Sequence, residues 1–347
     1  MTESRCVMKI TNQVISDPLD FLNQIAQRAM LLYPVSSRST IRLLNYSENA
    51  TYLIEDTETG DRAILRINRP GYHIKEELEA ELIWMEAIRS HSSIVVPEPI
   101  TGSNGELVQL VSAGHDGQDP YHCVMFTFLA GSAPDEENES RLEIQFAKLG
   151  EITAHLHNHT SMWKDSGQLS RPTWDYETML GSKPKWGRWQ DGLDMTPERV
   201  EVLKQAAGNV SQRLSRFGKT PDRFGLVHAD LRLANLLVED EQIKVIDFDD
   251  CGFSWFLYDL ASALSFMEHK DCVPNLIRAW LKGYETVRTI SDEEKEEIPT
   301  FIMLRRLTLV AWVGSHSDSE TAQELGAEFT HKTVELAEQY LLDRRLN

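Results

Sequence analysis

One stretch of the sequence, residues 226–250, limits the possible folds more than any other part of the chain. It reads LVHADLRLANLLVEDEQIKVIDFDD and contains two short apolar runs, Leu236–Val238 and Ile243–Ile246, separated by a polar segment. Two apolar runs with a short polar connection predict a β-hairpin. Because a hairpin brings the residue before its first strand beside the residue after its second, we expect Asn235 and Asp247 to meet at its open end.

The polar residues around this hairpin have the chemistry of a phosphoryl-transfer site. The loop before the first strand reads His-x-Asp-x-x-x-x-Asn from His228 to Asn235, with Asp230 at its centre. Phosphoryl transfer from ATP requires oxygen ligands for Mg²⁺ and a carboxylate that receives the proton of the attacking hydroxyl. Asp and Asn are ordinary loop formers when they occur singly. The prediction therefore depends on Asp230, Asn235 and Asp247 occurring together at this spacing.

This pattern resembles the catalytic loop and metal motif of the aminoglycoside phosphotransferase/choline kinase family, whose members are relatives of protein kinases. The resemblance implies that Asp230 is the catalytic base and that Asn235 and Asp247 are metal ligands. Protein kinases have glycine at the position of Asp249. An acidic residue there is common in the resembled family, and it would reach the metal directly or through water.

The same resemblance assigns supporting roles to neighbouring residues. Ala229 stands where the family usually has glycine. His228 and Asp259 are expected to support the catalytic loop. In related folds an Asp at the position of Asp259 bonds the backbone of this loop. The acidic cluster followed by Trp-Phe-Leu-Tyr-Asp-Leu-Ala is most similar to bacterial phosphotransferases, with the stress-response kinase and homoserine-kinase-type groups among their neighbours.

Periodicity elsewhere in the chain predicts a sheet-rich part followed by a helical part. A leading helix is expected over 18–33, five strands over 41–129, and one helix whose apolar residues run from Leu78 to Ile88. Pro97 and Pro99 are expected to stop any further helix there. Amphipathic helices, among them one over 293–314, are expected over most of the remainder. The predicted fold class is α+β: a bilobal protein-kinase-like fold with a small antiparallel-sheet N-lobe, 1–128, and a larger, mostly helical C-lobe, 129–347.

Residues for the nucleotide are assigned by position within this fold. In kinase-like folds the third strand supplies a cation to the phosphates, and the next helix supplies the glutamate that holds it. These positions are Arg66 and Glu81, so an arginine replaces the usual lysine. An ordinary strand-end arginine is the alternative interpretation. The turn with Ser47 and Asn49 has no glycine, and its small polar residues are predicted to donate hydrogen bonds to phosphate oxygens.

Two further segments are predicted to border ligands. Phe126 and Phe128 lie near the expected junction of the lobes, where the backbone would contact the adenine edge. The irregular insertion 160–195 holds four of the eight tryptophans, and tryptophan stacks on sugars or encloses amines. Either these rings wall the acceptor pocket or they anchor a long loop, and the sequence leaves both interpretations open. The candidate acceptor residues are Trp174, Trp186 and Trp189.

Composition restricts the class of protein. The net charge is −19, from 54 acidic and 35 basic residues, which argues against nucleic-acid binding because no basic surplus is present to offset phosphates. The first ten residues lack the apolar core of a secretion signal, and no apolar stretch has the length of a membrane span. Four widely spaced cysteines indicate a reducing compartment. We therefore expect a cytoplasmic enzyme with a small-molecule partner and no membrane partner.

Three functions compete at this stage. The first is an ATP- and Mg²⁺-dependent kinase that phosphorylates a hydroxyl of a small molecule, such as an amino sugar, an amino alcohol or a hydroxy-amino acid. The second is a Ser/Thr protein kinase of the bacterial stress-response type, although no Ala-Pro-Glu motif follows Asp247. The third is a nucleotide-binding pseudokinase, which would be expected to have lost one of the three motif residues. The intact motif favours the first.

Overall fold

The computed structural model describes residues 18–112, 120–134, 139–240, 242–317 and 319–343. The first ten residues, in which we expect no secretion signal, lie outside these ranges. The chain forms two compact units. The first comprises the described residues up to His73 and those of Pro99–Thr127, and the second comprises Ile74–Glu98 and the described residues from Phe128 onward. The helix expected around Leu78–Ile88 therefore groups with the second unit.

The first unit is a helix packed on an antiparallel sheet. Its elements are α1 (Pro18–Met30), β1 (Ser39–Tyr46), β2 (Ala50–Asp56), β3 (Arg62–Ile67), β4 (Pro99–Ile100), β5 (Gln109–Val111) and β6 (Tyr121–Thr127). The strand order is β1-β2-β3-β6-β4, and β5 also pairs with β6. Ile25, Ala26 and Ala29 of α1 are fully buried, and they share a core with Leu65 and Met125 of the sheet. The apolar face of the helix and the apolar face of the sheet therefore pack together in one core.

The sheet has six strands among the described residues, one more than the sequence predicted. The additional strand is β4, in which Pro99 and Ile100 lie opposite Phe126 and Met125. We expected Pro99 only to stop a helix. A strand of two residues has no periodicity to recognise, and a proline is tolerated where the strand lies at a sheet edge.

The second unit is mostly helical, as predicted. Its helices are α2 (Lys75–His91), α3 (Glu139–Met162), α4 (Tyr176–Leu180), α5 (Pro197–Phe217), α6 (Leu257–Ala263), α7 (Val273–Tyr284), α8 (Asp292–Glu296), α9 (Ile298–Ser315) and α10 (Glu320–Leu342). Its strands are β7 (Phe224–Val227), β8 (Leu236–Glu239), β9 (Gln242–Val245) and β10 (Gly252–Trp255). The single helix expected over 293–314 is two helices, because Ser291 caps α8 and Pro299 starts α9.

Two glycines allow α3 and α7 to pack closely. A Cβ atom on Gly150 would lie 2.0 Å from the carbonyl oxygen of Trp280, and one on Gly283 would lie 1.7 Å from that of Ala147. Any side chain at either position would therefore separate the helices. This packing fixes α3 against α7, and α3 in turn contacts β7, the strand that leads into the predicted catalytic loop. Within the described residues, no helix has the length and apolar character required to cross a membrane.

Candidate active site

The predicted hairpin is present and its register sets the site. Strands β8 and β9 are antiparallel, with Leu236 opposite Val245. At the open end the amide of Ile246 donates a hydrogen bond to the carbonyl of Asn235 over 3.0 Å. Asp247 is the next residue, and its φ of 63° turns the chain away from the strand direction. The hairpin therefore brings the backbones on which Asn235 and Asp247 lie to the same end.

A second strand pair holds the loop that precedes the hairpin. Strands β7 and β10 are antiparallel, and Val227 at the end of β7 lies opposite Gly252. His228 follows directly after β7, and Cys251 directly precedes β10. The predicted catalytic loop and the acidic segment before β10 are thus held at the same end of a two-stranded sheet.

Three side chains hold the carboxylate of Asp230. Arg305 Nη2 donates to Oδ1 over 2.6 Å, while Asn235 Nδ2 and Arg232 Nε donate to Oδ2 over 2.9 and 3.2 Å. Burial by itself raises the pKa of the Asp230 carboxyl, but the charges of Arg232 and Arg305 lower it more, so the pKa lies below its ordinary value. Asp230 is therefore a fixed, ionised carboxylate at neutral pH.

The hydrogen bonds of Asn235 indicate which of its atoms suits a metal ion. Its Nδ2 atom donates both to the main-chain carbonyl of Asp230 over 2.8 Å and to the carboxylate. An amide has one nitrogen and one oxygen. With the nitrogen engaged, Oδ1 is the atom suited to ligate a hard cation such as Mg²⁺, which prefers oxygen. The donor set of Asn235 and Asp247 therefore fits a divalent metal ion.

A buried arginine supports the acidic segment. Arg171 donates hydrogen bonds through Nε to the carbonyl of Cys251 over 2.6 Å, through Nη2 to that of Asp249, and through Nη1 to that of Glu77 over 2.8 Å. Asp249 itself is 5% exposed. The main chain of this segment is therefore attached to the first turn of α2. The role of Asp249 at the metal stays a prediction.

Histidine, cysteine and acidic side chains form no metal-binding group of three or more in the part of the chain that the structure describes. The predicted metal set differs in that it includes the amide of Asn235. Of the three histidines near the end of α3, His157 and His159 are buried and His155 is exposed.

Asp259 contacts the main chain of the catalytic loop, at the place expected for such an Asp. Its carboxylate accepts hydrogen bonds from the amide of His228 over 3.3 Å and from that of Ala229 over 2.7 Å. The side chain of His228 is buried, its Nε2 lies 3.1 Å from the carbonyl of Ile246, and its ring contacts Phe248. Burial lowers the pKa of His228, so the neutral ring donates to Ile246. These contacts join the loop to both strand pairs.

Glu81 lies inside the second unit, on α2, and has no exposed surface. Its charge helps to raise the pKa of Arg171, as do the charge of Asp249 and the Cys251 side chain, against the effect of burial. Glu81 is thus close to the arginine that supports the acidic segment. Its predicted role at the nucleotide stays a prediction.

Of the remaining nucleotide candidates of the first unit, Arg66 and Phe126 lie on β3 and β6, and Ser47 and Asn49 lie in the turn between β1 and β2. Arg66 on β3 is 7% exposed, lies opposite Thr51 in the register, and has its guanidinium 5.4 Å from the centre of the Phe126 ring. The carbonyl of Asn49 accepts from the amide of Ser47 over 3.2 Å, and its side chain accepts from the amide of Arg69. Asn49 therefore stabilises the turn, whereas Ser47 is exposed.

Phe128 opens the second unit and is half-buried. Shortly after it, Gly131 has a φ of 130°, and a Cβ there would lie 3.0 Å from the carbonyl oxygen of Val238. Ser132 and Val238 exchange main-chain hydrogen bonds of 3.1 and 2.8 Å, and Lys244 donates to the carbonyl of Ala130. The segment directly after the expected junction of the lobes is therefore attached to the hairpin.

Three of the four tryptophans of the insertion are buried, and Trp163 is half-buried. Trp174, Trp186 and Trp189 are 1, 6 and 3% exposed. The rings of Trp174 and Trp186 pack against each other with centres 5.3 Å apart, and Trp174 Nε1 donates to the carbonyl of Asp250 over 2.7 Å. Lys185 lies over the Trp174 ring. These contacts fit the interpretation in which the rings anchor the loop, and their role at the acceptor stays a prediction.

Sequence reasoning missed four residues of the site. They are His157, Arg171, Arg232 and Arg305. Arg232 lies two positions after Asp230, so its charge gave a local signal. The others come from α3, from the insertion and from α9, at sequence separations that no local pattern connects to Asp230.

Comparison with known proteins identifies the family of this chain. The sequence profile of the phosphotransferase enzyme family (APH) matches residues 40–292. The solved structure of a microcompartment-associated aminopropanol kinase is 40% identical, with a TM-score of 0.84, over 94% of this chain and 99% of that one. Amicoumacin kinase of Bacillus subtilis is 26% identical over 83% of this chain and 84% of its own length. Homoserine kinase of Gluconobacter oxydans is 29% identical over 78% of this chain and 82% of its own length.

These relatives are kinases of small molecules, and the matched region includes the catalytic loop, the hairpin and the acidic segment. They favour the first of the three functions over a protein kinase or a pseudokinase. The chain therefore belongs to the phosphotransferase enzyme family, and it is a kinase-type phosphotransferase whose acceptor is the hydroxyl group of a small molecule.

Proposed function

We propose that this enzyme transfers the γ-phosphate of ATP, with Mg²⁺, to the hydroxyl of a small amino alcohol. The observation that carries the proposal is the 40% identity to an aminopropanol kinase over nearly the full length of both chains. The homoserine kinases among the relatives point the same way, because homoserine and aminopropanol each combine a hydroxyl with an amine within a few carbon atoms. Membership of the family implies ATP and a divalent metal ion as cofactors.

In this reaction Asp230 orients the acceptor hydroxyl and receives its proton as the oxygen bonds to phosphorus. A carboxylate with a lowered pKa is a weak base. It suffices when the transition state is loose, because the hydroxyl then loses its proton late. Arg305, Asn235 and Arg232 hold the carboxylate so that it does not have to be ordered during the reaction.

Asn235 Oδ1 and the carboxylates of Asp247 and Asp249 are the groups that would hold Mg²⁺. When bound, the metal ion offsets the charge of the phosphate oxygens. In the first unit Arg66, Ser47 and Asn49 are proposed to contact the phosphates and Phe126 the adenine. The roles of Glu81 and Phe128 at the nucleotide are proposed from their positions in the sequence. We further propose a cytoplasmic location.

The test is Mg²⁺-dependent ADP release from ATP across a panel of acceptors. The panel contains 1-amino-2-propanol, ethanolamine, homoserine, an aminoglycoside and a generic protein, and 2-propanol serves as a matched control without the amine. Stimulation by an amino alcohol, absent with 2-propanol and lost in Asp230→Asn, is the expected result. Stimulation by homoserine alone would show that the acceptor is a hydroxy-amino acid rather than an amino alcohol. Stimulation only by protein would contradict the proposal.

A further inference from the structure

Two adjacent arginines of α9 are buried and face different partners. Arg305 is 2% exposed and Arg306 has no exposed surface. Consecutive residues of a helix point about 100° apart, so the two guanidinium groups enter different parts of the second unit. Arg305 meets Asp230, whereas Arg306 Nη1 donates to the carboxylate of Glu268 over 2.7 Å. A buried arginine is common only when it is fully paired, so both need an explanation.

All three nitrogens of the Arg305 guanidinium donate hydrogen bonds. Nε donates to Ser265 Oγ over 2.9 Å, and Nη1 donates to Tyr258 Oη over 3.0 Å and to the carbonyl of Ala229 over 3.4 Å. Nη2 is thereby directed at Asp230 Oδ1. Because a guanidinium is planar and rigid, fixing two of its nitrogens fixes the third. The position of Asp230 Oδ1 is therefore set by α6 and by the segment after it, through Arg305.

Arg305 is the contact of Asp230 that does not belong to the catalytic loop or its hairpin. Arg232 and Asn235 hold Oδ2 from within the same loop, so they move with Asp230 if the loop moves. Arg305 approaches from a helix 75 positions later in the chain and holds the other oxygen. Only a group outside the loop can define the direction of the carboxylate relative to the rest of the unit.

The same guanidinium also lies over a ring of the insertion. The Arg305 carbon Cζ is 5.3 Å from the centre of the Trp186 ring, which packs on Trp174. A tryptophan face attracts a cation and excludes water from it. The insertion thus has a structural connection to Asp230 that passes through Arg305.

We infer that Arg305 is a positioning residue for phosphoryl transfer, which orients the catalytic carboxylate of Asp230 through a rigid guanidinium that lies over the Trp186 ring. The inference rests on the proposed function, since it assigns Asp230 the role of base. A misdirected carboxylate affects the chemical step more than the binding of substrates, because a shift of about 1 Å in a reacting group costs roughly 100-fold in rate.

The test compares Arg305→Lys with Arg306→Lys. Both changes keep the charge and remove the planar guanidinium from the same buried helix. For Arg305→Lys we expect kcat to fall by about 10- to 100-fold, with the KM values for ATP and acceptor changed by less than about threefold. For Arg306→Lys we expect kcat within about twofold of the parent enzyme and a lower Tm, because its partners Glu268, Thr333 and Phe329 support packing.

Arg305→Ala with added methylguanidinium is the second variant. If the small cation binds where the guanidinium was, kcat rises with its concentration, whereas Arg306→Ala shows no such increase. Equal losses of kcat in the two lysine variants, or a loss in Arg305→Lys that appears only in KM, would overturn the inference. So would a loss of kcat that the cation does not restore in a folded Arg305→Ala.

Failure of the proposed acceptor is a separate outcome. If amino alcohols do not stimulate ADP release by the parent enzyme but another acceptor of the panel does, the amino-alcohol proposal is wrong. The Arg305 variants are then assayed with the acceptor that is phosphorylated. If no acceptor stimulates ADP release although ATP binds, both are overturned. In each case Asp230→Asn defines the rate that remains without the base.

Discussion

His157 on α3 and Asp259 on α6 are joined by a buried hydrogen bond of 3.0 Å between Nε2 and Oδ2. The Nδ1 atom of the same ring lies 2.9 Å from the hydroxyl of Tyr284 on α7. Since the carboxylate can only accept, Nε2 carries the hydrogen and Nδ1 accepts from the tyrosine. Asp259 also accepts from the amides of His228 and Ala229. Asp259 on α6 thus holds the main chain of the catalytic loop, and its carboxylate is in turn held by His157 on α3.

Asp259→Asn is expected to destabilise the protein. The asparagine amide has an NH₂ donor in place of one carboxylate oxygen. This donor would face either the ring N–H of His157 or a main-chain N–H of the loop, so one hydrogen bond is lost. Loss of a buried hydrogen bond to a charged group costs about 1.5–3 kcal/mol. We expect the free energy of unfolding in urea to fall by that amount. Asp191→Asn, at an exposed position, should change it little, and an equal effect of both substitutions would show that the network does not contribute.

The stability of the fold should decrease as the pH falls below about 6.5. Burial lowers the pKa of His157, His228 and His159, and it lowers that of His269 to about 4. The unfolded chain therefore binds protons at a pH where the folded chain does not. Below the unfolded pKa each such histidine decreases the free energy of unfolding by up to about 1.4 kcal/mol per pH unit.

Urea titrations between pH 7.5 and pH 5 measure this slope. His157→Gln should flatten it, since one buried group that resists protonation is removed, even though the variant is less stable at pH 7.5. His155→Gln changes an exposed histidine of the same helix and should leave the slope as it is. A steeper slope in His157→Gln would contradict the assignment.

Ala229 has a backbone conformation that favours glycine. Its φ is 67°, it is 2% exposed, and its amide is held by Asp259. A left-handed conformation costs a residue with a Cβ about 1–2 kcal/mol, and a β-branched residue more. Ala229→Val should therefore lower the free energy of unfolding by at least about 2 kcal/mol. Ala229→Gly should stay within about 1 kcal/mol, because relief of strain offsets the added chain entropy.

The two substitutions are compared by urea unfolding and by kcat in the acceptor assay. We expect the glycine variant to keep most of the activity, since related proteins usually have glycine at this position. A valine variant as stable as the parent would mean that the loop does not require a positive φ at this residue.

Asp247→Asn should increase the requirement for Mg²⁺. Asparagine tolerates the left-handed conformation that Asp247 adopts, so the substitution removes charge without changing the backbone. We expect the Mg²⁺ concentration for half-maximal ADP release to rise by roughly tenfold or more, because affinity for hard cations follows ligand charge. Asp240→Asn is the matched control. It is exposed at the hairpin turn with a φ of 48°, and an equal change there would contradict a metal role for Asp247.

The parts of this fold that the sequence predicted are those with local patterns. The hairpin of β8 and β9 follows from two apolar runs and a polar turn, and its geometry alone brings Asn235 beside Asp247. Helices α1 and α2 follow from apolar spacing. By contrast, the two-residue strand β4 and the break between α8 and α9 depend on neighbours and capping that a periodicity does not contain.

The sequence alone predicted the chemistry of the site, because the proposed base, the proposed metal ligands and the loop that carries them lie within 25 residues and interact through local backbone geometry. Tertiary structure alone decided how that site is held. Arg305, Arg171 and His157 reach it from distant elements, and the three candidate acceptor tryptophans of the insertion are buried rather than exposed. Contacts between such distant residues depend on how helices pack, and packing leaves no period in a sequence.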